Sequence, residues 1–150
     1  MEPGKYLIRS YTQADEAAVI ALLRLNTPQY FAPEEEEDLR RYLRQGSEQY
    51  FVLEYAGEIA GCGGFNLLKE ERTGRISWDI FHPTYQGLGL GTTLTRFRIE
   101  KLRANADHIV VRTSQLAYRF YEKQGFVLRE KVKDFWAPGY DLYLMELAGK

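Results

Sequence analysis

The stretch Trp78-Asp79-Ile80-Phe81-His82-Pro83 alternates like a strand and stops at proline. The chain then passes through Thr84-Tyr85-Gln86-Gly87-Leu88-Gly89-Leu90-Gly91-Thr92-Thr93-Leu94 into a helical pattern. Gly87, Gly89 and Gly91 remove side chains at alternate positions where that helix begins. A helix start exposes unpaired N–H groups and carries the positive end of the macrodipole. A bare loop feeding such a start can hold phosphates. The competing reading is an ordinary tight strand-to-helix connection. Two nucleotide motifs fit badly. A Walker A loop needs Gly-Lys-Ser/Thr, but Gly91 is followed by Thr92-Thr93. A dinucleotide fingerprint counted from Gly87 needs glycine where Thr92 stands, and it follows a first strand rather than a fourth.

The elements that must position this turn are legible on either side. Tyr6 to Ser10 reads as a strand, and Thr12 with Asp15 matches a capping box opening a helix with Val19, Leu22 and Leu23 on its apolar face. Asn26-Thr27-Pro28 ends it. Pro33 suits the first turn of a second helix, Glu34 to Asp38 place acids at its positive end, and Gly46 stops it. Tyr50–Tyr55 and Glu58–Leu68 form a hairpin about Ala56-Gly57, and Gly61, Gly63 and Gly64 suggest a bulge or close backbone approach. Arg75–Phe81 is the fourth strand, with Ile76, Trp78 and Ile80 on one face and Arg75, Ser77, Asp79 and Phe81 on the other. A helix follows from about Gly89 to Asn105, then a strand at His108–Val111. Ser114 is an N-cap candidate for a helix ending at Gln124, with Gly125 as its stop. Phe126–Phe135 and Asp141–Leu147 close the chain, separated by Trp136-Ala137-Pro138-Gly139-Tyr140. The order β-α-α-β-β-β-α-β-α-β-β predicts an α/β fold (an α+β mixed sheet) with helices on its faces.

Composition bounds the function. The 150 residues suit one domain over 1–150, and the net charge of −1 supplies no general attraction to nucleic acid or an anionic membrane. No apolar run approaches the roughly 20 residues that span a bilayer. Cys62 is the only cysteine, and the N-terminus lacks the basic-then-apolar pattern of a signal peptide. The expectation is a soluble cytoplasmic protein. His82 and His108 are isolated, so no metal set is expected.

Gln86-Gly87-Leu88-Gly89-Leu90-Gly91 resembles Gln/Arg-x-x-Gly-x-Gly/Ala, the pyrophosphate-cradling motif of the GNAT superfamily of acetyl-CoA-dependent acyltransferases. Phe81-His82-Pro83 precedes it as in that family. Ala117-Tyr118-Arg119-Phe120-Tyr121-Glu122-Lys123-Gln124-Gly125-Phe126 resembles its second motif, Ala-x-x-Phe-Tyr-x-x-x-Gly-Phe. The element order is similar along nearly the whole chain. The resemblance implies a V-shaped splay between strands four and five of a mostly antiparallel sheet. It implies acetyl-CoA as cosubstrate, with its pyrophosphate on Gln86, Gly87, Leu88, Gly89, Leu90, Gly91 and Thr92. Backbone from Asp79 through Ile80 to Phe81 would pair with the pantetheine arm and the acetyl carbonyl, an oxyanion donor.

Tyr121 stands where the family's general acid stands. Transfer to an amine leaves a thiolate whose acid has pKa about 8.5, and a phenol near 10 can lend it a proton or a hydrogen bond. The alternative is a core tyrosine sharing a helix face with Ala117. The base is less defined: many relatives use a strand glutamate, and Arg75 occupies the corresponding position here. Asp79, acting directly or through a water, competes with a structural role. Ser114 occupies a position where many relatives place a cofactor-contacting asparagine, and N-capping explains it equally well.

In this family acceptors enter between the first two helices and the loop joining the last two strands. Tyr30 and Phe31 on one side and Trp136, Pro138 and Tyr140 on the other would wall a pocket suited to a hydrophobic or cationic amine. The resemblance therefore predicts an N-acetyltransferase acting on a primary amine of a small molecule or peptide. The alternatives are a non-catalytic acyl-CoA sensor or a scaffold. Strand pairing between subunits, common in the family, makes a homodimer compatible with the reading.

Overall fold

A computed structural model describes residues 5–46, 49–85 and 87–148. The first strand, β1 (Tyr6–Ser10), leads through a short 3₁₀ turn into α1 (Glu16–Leu25). The turn is closed by the capping residues read from the sequence: the Thr12 N–H donates to Asp15 Oδ2 at 2.8 Å. Arg9 grips the same carboxylate with two bonds of 2.9 Å, which is the main cause holding Asp15 down at about 2. Helix α2 (Glu35–Gln45) begins two residues after Pro33, and Gly46 ends it in the left-handed conformation at φ 63°.

Strands β2 (Gln49–Tyr55) and β3 (Glu58–Leu68) form a hairpin whose turn residues Ala56 and Gly57 both have positive φ, 54° and 82°. That is the twist-compatible geometry for a two-residue loop. Then come β4 (Thr73–Phe81), α3 (Leu90–Arg103), β5 (His108–Thr113), α4 (Tyr118–Lys123), β6 (Phe126–Ala137) and β7 (Tyr140–Leu147). The last hairpin turn is tighter than expected, because Trp136 and Ala137 continue β6 and Ala137 pairs with Tyr140. The strands make one sheet ordered β1-β2-β3-β4-β5-β7-β6, antiparallel except for the β4–β5 pair.

Each face of the sheet buries its own core. Val19, Leu22 and Leu23 of α1 with Leu39 and Leu43 of α2 cover Val52, Cys62 and Ile80. Leu90, Leu94 and Leu102 of α3 cover the opposite face with Leu53, Ile76 and Met145. Cys62 is fully buried, and burial pushes its thiol up to about 12, so it carries no thiolate near neutrality.

The expected alternation along β4 fails in its middle. Gly64 pairs with Ser77 and Cys62 with Ile80, so Gly63 alone faces both Trp78 and Asp79. Trp78 takes φ 54° to absorb the extra residue, a β-bulge. Ser77 and Trp78 consequently point to the same face: the Ser77 hydroxyl meets the Tyr42 hydroxyl at 3.3 Å, and Trp78 stacks on Phe31 at 6.2 Å. Ile76 therefore does not share a face with Trp78 and Ile80. It sits with Asp79 and Phe81 on the α3 side. Glycine is required opposite the bulge, since a Cβ on Gly63 would lie 2.5 Å from Asp79 Oδ1 and 2.6 Å from Arg98 Nη1.

Candidate active site

The three glycines of the turn have different physical reasons. Gly87 and Gly89 have φ of 88° and 80°, where a side chain is strained although space is open around both. Gly91 is instead a packing glycine: a Cβ there would come within 3.1 Å of the Phe120 ring. Gly89 caps α3, and the helical ladder opens with the Thr93 N–H donating to Gly89 O at 3.0 Å. The N–H groups of Leu90, Gly91 and Thr92 precede that first bond and are the helix's orphan donors. Gln86 lies outside the described residues. Gly87, Gly89, Leu90, Gly91 and Thr92 line a cavity of about 850 Å³, which Arg119 and Lys123 of α4 also line. Leu88 is absent from that wall and 37% exposed.

The cavity runs into a split in the sheet. Pairing of β4 with β5 covers Thr73 to Ile76 against His108 to Val111 and then stops. Beyond it, Asp79, Ile80 and Phe81 line the cavity. Side chains already occupy two carbonyls there: Asn26 Nδ2 donates to Phe81 O at 3.0 Å, and the Cys62 thiol donates weakly to Ile80 O at 3.8 Å.

Tyr121 stands on the wall of this split, 5% exposed, with its ring edge-on to Phe120 and Phe126. Its hydroxyl donates to Asp79 Oδ2, and the other oxygen of Asp79 accepts from Arg98 Nη1. Arg98 is fully buried, with further bonds from Nη1 to Gly64 O at 3.0 Å and from Nε to Leu94 O at 3.3 Å. Burial is the largest influence and works to lower the guanidinium, but the charge and hydrogen bond of Asp79, with smaller contributions from Tyr121 and Tyr50, together outweigh it and keep the cation charged. Burial, and after it the Asp79 charge, push the Tyr121 phenol well above the ordinary phenol range.

Ser114 is buried and lines the cavity, but it does not cap α4. The helix starts at Tyr118, and Ser114 closes a turn before it, accepting from the Leu116 N–H at 3.2 Å. The β5–α4 segment curves around the cavity before the helix can form, which shortens α4. The acceptor-side residues Tyr30, Phe31, Trp136 and Tyr140 all line the same cavity. Two bonds fix that wall: Tyr140 Oη donates to Pro28 O at 2.7 Å, and Trp136 Nε1 donates to Thr113 O at 3.1 Å.

Residues 19–126 match the Acetyltransferase (GNAT) family. The chain belongs to the GNAT acetyltransferase family. It is 29% identical to an N-alpha-acetyltransferase of Sulfurisphaera tokodaii over 94% of this chain and 92% of that one. The same fold recurs in a GNAT-family protein of Desulfovibrio desulfuricans at a TM-score of 0.80 and 21% identity, covering 95% of this chain and 98% of that chain. A ribosomal-protein-alanine N-acetyltransferase of Brucella melitensis has a TM-score of 0.72 and 19% identity, covering 93% and 98%.

Within this GNAT chain the sequence reading missed two buried charges. Arg98 continues the Leu90–Leu94 stripe at helical spacing, so a cation on an apolar face was the available signal that a buried acid lay opposite. Glu35 is one of the run of acids, Glu34 to Asp38, at the start of α2, and nothing in that run sets it apart, yet it is 6% exposed and lines the cavity. No helix among the described residues is long and apolar enough to cross a membrane.

Proposed function

We propose that this GNAT protein is an N-acetyltransferase that moves an acetyl group directly from acetyl-CoA to a primary amine of a small molecule or peptide. The observation that carries this reading is the continuity of one cavity. It joins the helix-start donors at Leu90 to Thr92, the β4 edge at Asp79 to Phe81, the Tyr121 side chain and the aromatic wall of Phe31 and Trp136. Gly87 to Thr92 would hold the pyrophosphate, helped by the charges of Arg119 and Lys123, and Gln86 keeps its place in the motif. The β4 backbone beyond the last β5 pair would take the pantetheine arm and the acetyl carbonyl.

Chemically, a C–N bond forms to the amine and the C–S bond breaks, the amine releases its proton to water, and the departing thiolate takes one up. Tyr121 remains protonated because its pKa is raised, so once its single O–H turns from Asp79 Oδ2 to the sulfur it can offer a hydrogen bond and then a proton, which it regains from water. Asp79 holds Tyr121 and is itself held by Arg98, an arrangement suited to positioning the phenol rather than to taking a proton from the amine. The relatives' names, N-alpha-acetyltransferase and ribosomal-protein-alanine N-acetyltransferase, favour including peptide N-termini among the acceptors tested.

The test is incubation with acetyl-CoA and a panel of amines and short peptides, with mass detection of products. An N-acetylated product with matching CoA release supports the reading. A thermal shift with acetyl-CoA but no turnover across the panel would replace it with an acyl-CoA sensor. No shift and no turnover would leave a scaffold.

A further inference from the structure

Glu35 is the buried acid that the proposed chemistry leaves unused. Its Oε2 accepts the Ala32 N–H at 2.8 Å, which closes the entry to α2. Oε1 has no hydrogen-bond or ion-pair partner among the described residues, and the side chain lines the cavity. The residue is only 6% exposed, but Oε1 itself is not sealed off, so the opening that remains to this carboxylate is the cavity it lines, where a cation or donor would stabilise its charge. The bond to Ala32 ties this carboxyl to the backbone next to Phe31, whose ring stacks on Trp78, and Glu35, Phe31 and Trp78 line the same cavity. Tyr42 completes the aromatic surface at 6.1 Å from Trp78.

The other charges on this wall are accounted for. Asp38 pairs with Arg41 at 3.1 Å, so the two offset each other. Arg75 of β4 also lines the cavity and has a partner of its own. Glu34 and Asp38 act on Glu35 only as like charges, adding to burial in opposing its ionisation.

Resting on the acetyltransferase reading above, we propose that Glu35 is the acceptor anchor, its free oxygen receiving a positively charged group of an amine whose apolar part lies on the Phe31–Trp78 stack. The chemical class is an ammonium attached to an aromatic or aliphatic body. A carboxylate and aromatic faces attract a cation together and offer an alcohol of the same shape much less. The carboxyl is raised to about 7, chiefly by burial, so capture strengthens as pH rises through neutrality.

The test needs no turnover. 2-Phenylethylammonium and its neutral analogue 2-phenylethanol are titrated into the full chain and into Glu35→Gln, followed by NMR and tryptophan fluorescence. Glutamine keeps a carbonyl oxygen for the Ala32 N–H. At pH 8 the ammonium should bind the unaltered protein about tenfold more tightly than Glu35→Gln. The alcohol should bind both equally, and the ammonium's advantage should shrink at pH 6. Equal ammonium binding by the two proteins, no preference over the alcohol, or no saturable binding would each overturn the proposal. A CoA-induced thermal shift, measured on both proteins, reports separately on cofactor binding and on folding of the variant. Loss of that shift in the unaltered protein would count against the acetyltransferase reading, whatever the ammonium titration gives.

Discussion

The Tyr121 hydroxyl donates to the Asp79 carboxylate across 42 residues of sequence. That bond joins α4 to the bulged part of β4 and holds the phenol against Asp79 on the wall of the cavity. A tyrosine held this way has a defined position before any substrate arrives, which suits the proton-donor role proposed for it.

Tyr121→Phe tests the donor. The ring and its packing against Phe120 and Phe126 remain, while the hydroxyl is lost. We expect kcat for acetyl transfer to fall about 100-fold, with acetyl-CoA affinity within about twofold. Steady-state kinetics with calorimetric binding separates the two, and unchanged turnover would remove the assignment.

Arg98→Met tests the buried pair. Methionine fills much of the volume but leaves Asp79 buried without its cation, which should destabilise the fold by about 3–5 kcal/mol. Asp79→Asn/Arg98→Met should lose less than the sum of the single changes, because neither then strands a charge. Urea unfolding of the four proteins gives the coupling.

Gly63→Ala tests the bulge. Its added methyl would stand within 2.6 Å of both the Asp79 carboxylate and the Arg98 guanidinium, so the pair must move. We expect a stability loss of about 1–3 kcal/mol. Turnover should fall as well, since Asp79 positions Tyr121. By contrast, Gly46→Ala has open space and only backbone strain, and it should leave turnover intact.

Glu35 and Asp15 predict opposite pH responses. Glu35 is raised from 4.5 to about 7, so the folded state binds more protons than the unfolded chain between those values. Its contribution to stability is complete below about 4.5 and is lost as pH rises through 7. Asp15 is lowered from 3.8 to about 2, chiefly by Arg9, so its contribution is complete above about 4 and is lost as pH falls towards 2. Between pH 5 and 8 Asp15 stays ionised, and Glu35→Gln should flatten the decline in melting temperature seen in the unaltered protein. Parallel curves for the two proteins would show that Glu35 does not titrate there.

Much of the fold was legible because its signals are local. The Thr12–Asp15 box, the Ala56-Gly57 turn and the Gly46 and Gly125 stops each act within a few residues, and the structure places them as read. Helix α4 was read too long, because Ser114 has the chemistry of a cap but spends its hydroxyl on a turn before the helix. Nothing nearby in sequence distinguishes the two uses.

The sequence by itself determined the order of elements, the glycine turn and the placement of Tyr121 one helix later, since spacing and residue type act over short range. Only the tertiary structure decided which face Asp79 occupies. One glycine on β3 meets two residues on β4, and that register offset is invisible to a period-two reading. It likewise decided that Arg98 is the buried partner of Asp79 and that Glu35 leaves solvent while its acidic neighbours Glu34 and Glu37 stay in it. A charge's role depends on what the distant chain brings against it.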